Sequence, residues 1–111
     1  MSKREAKLYL NDIIEAIGKI ETFVKGMDLG SFSGDIKTID AVMKNFIVIG
    51  EAIKNLPPET RTDHPEIPWH QINGMRNKMI HEYFGVDEKV VWQAIIDDLP
   101  ELKKQIGKLL N

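Results

Sequence analysis

The chain has 111 residues, 42% hydrophobic and 29% charged, with a net charge of -2 and no cysteine. That length supports one domain spanning residues 1–111 and burying about two-thirds of its unfolded surface, and the composition excludes a disordered chain. The lack of cysteine excludes disulfides, thiolate metal sites and a cysteine nucleophile, while the slightly acidic balance excludes holding nucleic acid by bulk charge and leaves only a local basic patch for it.

The first segment, Lys3 to Lys25, carries Leu10, Ile13, Ile14, Ile17, Ile20 and Val24 at helical spacing, and Gly26 is placed to end it. Gly26 to Gly34, with three glycines and two serines, reads as a loop. Ser33 or Asp35 is positioned to cap a second helix running to Leu56, with Ile36, Ile39, Met43, Phe46, Ile47, Gly50 and Ile53 facing inward. Pro57 and Pro58 stop it, and a polar surface connection follows to Ile67.

The next helix is predicted from Pro68, suited to a first turn, to Phe84, with Gly85 just past its end. At about 100° per residue, Trp69, Ile72, Met75, Met79, Ile80 and Tyr83 share one arc, opposite His70, Asn73, Gly74, Asn77, Lys78, His81 and Glu82. Arg76 breaks this pattern, because it falls inside the apolar arc. An unpaired guanidinium there is costly, so Arg76 calls for a carboxylate partner, a phosphate ligand or a solvent-filled interface. Glu51 and Asp35 are the carboxylates considered for a purely structural pairing.

Asp87 is placed to cap a fourth long helix bearing Val90, Val91, Ala94 and Ile95. Pro100 predicts a kink, or a fresh start capped by Asp97 or Asp98, before Leu102, Ile106 and Leu109. No segment alternates with period two. The expected architecture is all-α, an antiparallel bundle of four long helices and a short fifth piece. With no apolar run long enough to cross a bilayer and no apolar signal region behind its basic start, the chain is expected to be cytoplasmic. His64 and His70 have no partners at zinc-like spacing, so no metal or cofactor is expected.

Arg76, His81 and Tyr83 form the pattern Arg, four residues, His, one residue, Tyr. It resembles the signature of the HEPN superfamily, and specifically its HepT-like branch. The resemblance extends in order through Ile49, Gly50, Glu51 and Ala52; Ile67, Pro68 and Trp69; Gly74, Met75, Arg76 and Asn77; His81 through Asp87; and Val91 with Trp92. It implies the HEPN helical fold and a homodimeric toxin that cleaves RNA, with Arg76 as phosphate binder and His81 as proton carrier in an active site at the dimer interface and Asn77 orienting His81 or the phosphate. It implies an antitoxin too, a minimal nucleotidyltransferase (MNT), able to attach AMP to Tyr83; a phosphate-bearing group there would repel an RNA backbone. The residue types suit that chemistry. Metal-independent attack by a 2'-hydroxyl needs a base, an acid and a cation for the phosphorane. Imidazole exchanges protons near neutral pH, and the guanidinium fork matches phosphate oxygens. Two chains about a two-fold axis would supply two of each. The alternative from another class is a non-catalytic subunit that docks on the nucleotidyltransferase and positions its nucleotide or substrate. Tyr83 also fits a packed core tyrosine from its arc alone.

Overall fold

The computed structural model describes residues 3–74 and 87–111, and every regular element among them is helical. The elements are α1 (Lys3–Val24), α2 (Leu29–Ser33), α3 (Ile36–Asn55), α4 (Pro58–Asp63), α5, helical over the described residues 69–74, α6 (Glu88–Gln93), a π turn (Ala94–Asp98) and α7 (Leu99–Leu110).

Helices α1 and α3 form the most extensive contact, and α7 packs on α1. Near its end α1 pairs with the start of α7, Lys103 Nζ meeting Glu21 Oε1 at 3.0 Å, while Lys7 and Leu10 share a recess with Leu109. The two therefore run antiparallel. The same recess takes in Thr60 and Asp63 of α4, which follows directly on α3, so α3 also ends beside the start of α1. The core fills the space between. Ile13, Ile17, Ile20, Phe32, Val42, Ile49 and Ile106 are fully buried.

Local chemistry sets the element ends. Gly26 adopts φ 78°, the left-handed conformation that glycine reaches without steric cost, and α1 stops there as its sequence predicts. Asp35, not Ser33, caps α3: its carboxylate accepts the Thr38 N–H at 3.0 Å and the Thr38 hydroxyl at 2.8 Å. Asp87 caps α6 by accepting the Lys89 N–H at 2.8 Å.

Four details depart from the sequence reading. The Gly26 to Gly34 stretch contains α2, nucleated by a reciprocal capping box in which Asp28 accepts the Ser31 N–H and the Ser31 hydroxyl accepts the Asp28 N–H. The Pro57 to Ile67 connection holds α4, started by Pro58 in its first turn. Ile36 is 74% exposed, while Val42 and Ile49 are buried instead, because α3 is covered from more than one side. Neither Asp97 nor Asp98 caps a new helix; the chain passes Pro100 through the π turn, with the Leu99 N–H donating to the Ala94 carbonyl. Proline lacks an N–H and its ring clashes with the carbonyl four residues back, so widening the preceding turn lets one helix continue past it.

Candidate functional site

Residues 75–86, and with them Arg76, Asn77, His81 and Tyr83, lie outside the described residues. The structure does define both ends to which this stretch is joined. Upstream, Ile67 and Trp69 are buried in the core, and the Trp69 indole N–H donates to the His64 carbonyl at 2.9 Å. The Ile72 N–H donates to the Pro68 carbonyl at 3.1 Å, closing the first turn of α5 as the proline predicts. His70 and Gly74 are exposed and Trp69 is buried, as their arcs predict, whereas Ile72 and Asn73, expected on opposite arcs, are both half-buried.

Downstream, Asp87 starts α6, whose Val91 is buried and whose Trp92 stacks on Phe32 with ring centroids 5.1 Å apart and planes tilted by 40°. An offset, tilted arrangement is favourable for two aromatic rings. Phe32 belongs to α2, so the element that the glycine-rich stretch conceals is what anchors the downstream end. Of the residues expected to support the site, Glu51 is half-buried in the second half of α3. Asp35 is committed elsewhere: both of its oxygens serve the α3 cap, and those hydrogen bonds hold its carboxyl below the usual carboxylate range.

Between α3, the start of α5 and α7 lies a cleft of about 340 Å³. Among the described residues, Phe46, Ile49, Ile72, Leu99 and Leu102 line it together with the carboxylates of Glu66, Asp97, Asp98 and Glu101. Asp98 is pushed up from the usual carboxylate range, first by burial and then by the charge of Asp97. Sequence reading treated the aspartate pair only as candidate caps. The signal for a turn that presents both to one cleft was their position just ahead of Pro100 in an otherwise helical pattern. Among the described residues no three His, Asp or Glu side chains come together as a metal site, and no helix is long and apolar enough to cross a membrane.

The family model described as ribonuclease HepT-like matches residues 13–109. This chain belongs to the HepT-like family. A relative from Thermococcus cleftensis, named "Probable ribonuclease HepT", is 47% identical over 107 residues, 96% of this chain and 97% of the relative. Two further relatives carry the name "Putative RNase". One, from Caldanaerobacter subterraneus subsp. tengcongensis, is 41% identical over 93% of this chain and 92% of its own length; the other, from Methanocaldococcus jannaschii, is 40% identical over 100% and 92%. No solved structure matches the chain. The match takes in Glu51, Arg76, Asn77, His81 and Tyr83, and the all-helical architecture agrees with the HEPN fold.

Proposed function

We propose that this HepT-like chain is a metal-independent endoribonuclease, the toxin of a toxin-antitoxin pair whose antitoxin is a minimal nucleotidyltransferase. The observation that carries the reading is family membership across residues 13–109 together with Arg76, Asn77, His81 and Tyr83 in the family's order. In this reading two chains form a homodimer whose cleft receives Arg76 and His81 from both. One His81 takes the proton of the RNA 2'-hydroxyl as it attacks the adjacent phosphorus, and the other protonates the leaving 5'-oxygen. Each Arg76 holds a non-bridging phosphate oxygen and stabilises the charge that builds on the phosphorane. Asn77 orients the reacting groups, and Glu51 is a supporting carboxylate. Addition of AMP to Tyr83 by the partner places a phosphate beside the cleft and blocks RNA by charge and bulk.

The decisive experiment incubates the purified dimer, freed of partner and checked by mass for unmodified Tyr83, with total RNA in chelator. The expected result is fragments ending in 2',3'-cyclic phosphate, lost with His81→Ala and Arg76→Ala. Activity that survives both substitutions overturns the site. No cleavage across several RNAs replaces the enzyme reading with that of a nucleotidyltransferase-binding subunit.

A further inference from the structure

Among the described residues, the exposed apolar side chains of Phe23 and Val48 line one groove, of about 390 Å³, between α1 and α3. Leu8, 58% exposed, continues its α1 edge at the helical repeat of Asp12, Glu15, Lys19 and Phe23. Single exposed apolar residues are ordinary, whereas three along one seam have the form of an interaction surface. The seam is separate from the acidic cleft, because α3 turns Ala41, Lys44 and Val48 to the seam and Phe46 and Ile49 to the cleft.

The charges along this groove are sorted by sign. From its Gly26 end, α1 presents Phe23, Lys19, Glu15, Asp12 and then Leu8, and α3, running the other way, presents Lys44 and then Val48. Positive charge and an aromatic ring therefore occupy one half, negative charge and aliphatic side chains the other. Among the described residues these charges make a single ion pair, the exposed contact of Lys19 with Glu15 at 3.5 Å, and such a pair is worth little in water. Asn45 lies between Lys44 and Val48 and is only 7% exposed. Its Nδ2 donates to the Ala41 carbonyl at 2.8 Å, and its Oδ1 has no donor among the described residues. A buried amide oxygen in the middle of a groove is a place for a donor that comes from outside.

We propose that this groove seats a second copy of the chain, the two packing about a two-fold axis that crosses the groove near Asn45. A two-fold interface joins the same patch on both partners, so the patch must complement itself. This one does. Reversing its direction lays Lys19 and Lys44 of each copy against Asp12 and Glu15 of the other, sets Phe23 toward the aliphatic half, and brings an ammonium to the Asn45 oxygen. A nucleic acid would meet the acidic half, and a uniformly basic segment would meet the lysines. The homodimer of the proposed ribonuclease then forms through this face; the assignment rests on that reading for the pairing of chains, not for the chemistry at Arg76 or His81.

The test is sedimentation velocity of the full chain over a concentration series, with two double variants. Lys19→Glu with Lys44→Glu turns all four charges acidic, and Asp12→Lys with Glu15→Lys turns them all basic. The four side chains are exposed, and circular dichroism checks that the helices are kept. Wild type is expected to self-associate, each variant alone to do so about tenfold more weakly or worse, and an equimolar mixture of the two variants to recover the association. Misfolded variants cannot give that recovery. A wild type that stays a single chain overturns both the proposal and the homodimer. Variants that associate as tightly as wild type, or a mixture no tighter than its components, overturn the proposal and leave the homodimer to another face. None of these outcomes depends on whether the chain cleaves RNA.

Discussion

The indole N–H of Trp69 reaches back to the carbonyl of His64 at 2.9 Å, fastening the first turn of α5 to the end of α4. Because Trp69 is only 8% exposed, that bond and the ring's packing together fix the direction in which the chain enters residues 75–86. Trp69→Phe keeps most of the packing and removes one of the two donors to the His64 carbonyl, the Ile67 N–H at 3.2 Å remaining, so a loss of at most about 1 kcal/mol is expected in urea unfolding. Trp69→Ala also empties the site, and about 3–5 kcal/mol is expected. If entry direction matters for catalysis, Trp69→Phe lowers RNA cleavage under conditions where the protein is fully folded.

At the other end, Phe32 is fully buried against Trp92. Phe32→Ala should destabilise by about 3–5 kcal/mol, the range for deleting a buried aromatic ring. Phe32→Leu should cost less. Near-ultraviolet circular dichroism should report the loss of the tilted ring pair in both variants, and an unchanged spectrum would show that the pair is not formed in solution.

The α3 cap predicts a pH dependence. Hydrogen bonds from Thr38 lower the Asp35 pKa in the folded chain relative to the unfolded one. The folded state thus releases that proton more readily, and the stabilisation is present above the unfolded carboxylate range and lost as pH falls through the folded value. Asp35→Asn keeps an acceptor for the cap but cannot titrate, so it should lose the acid-side share of this dependence. Asp35→Ala should lower the midpoint of thermal unfolding at neutral pH. Equal acid sensitivity in wild type and Asp35→Asn would contradict this assignment.

Asp98 titrates with the opposite sign. Burial and Asp97 raise its folded pKa, so its contribution favours folding below the unfolded carboxylate range and is lost as pH rises through the folded value. Asp98→Asn should therefore be at least as stable as wild type at neutral pH, with the difference disappearing in acid. Paired thermal melts across pH check it, and a variant less stable at neutral pH would mean that ionised Asp98 is stabilised in the fold.

For the proposed active site, His81→Ala should reduce RNA cleavage about 10²–10⁴-fold, the usual weight of a proton-transfer group. Arg76→Lys should recover little, since a point charge does not reproduce the bidentate fork. Single-turnover rates measured across pH should show a bell, rising with one His81 as base and falling as the other loses its proton. A flat profile argues for a binding role.

Much of this architecture is written in short-range chemistry. Gly26 and Asp87 mark element ends by residue type alone, and of the two cap candidates Ser33 and Asp35 the structure uses Asp35. What stayed hidden depends on tertiary contact. Asp28 and Ser31 form a capping box inside a glycine-rich stretch that reads as loop, and its helix persists because Phe32 has Trp92 to pack against. Ile36 sits in phase with the buried face of α3 yet lies on its first turn, beyond the reach of the neighbouring helices. The acidic cleft joins residues more than thirty positions apart, Glu66 with Asp97, Asp98 and Glu101, a juxtaposition no local pattern encodes. The arrangement of Arg76, Asn77, His81 and Tyr83 falls outside the described residues, so the case for them rests on order and chemistry.

The π turn ahead of Pro100 carries one consequence for chain length. A turn of this kind holds one residue more than the α-helical path needs, so Ala94–Asp98 works as a phase adjuster between α6 and α7. Removing a single residue there would take out that extra residue and let the segment close as an ordinary α-turn, with Leu102 and Ile106 still turned to the core. Inserting one would instead rotate everything downstream by about 100°, swinging Leu102 and Ile106 out of the core and bringing Glu101 and Gln105 to their positions. Within this segment the chain should tolerate a one-residue deletion better than a one-residue insertion.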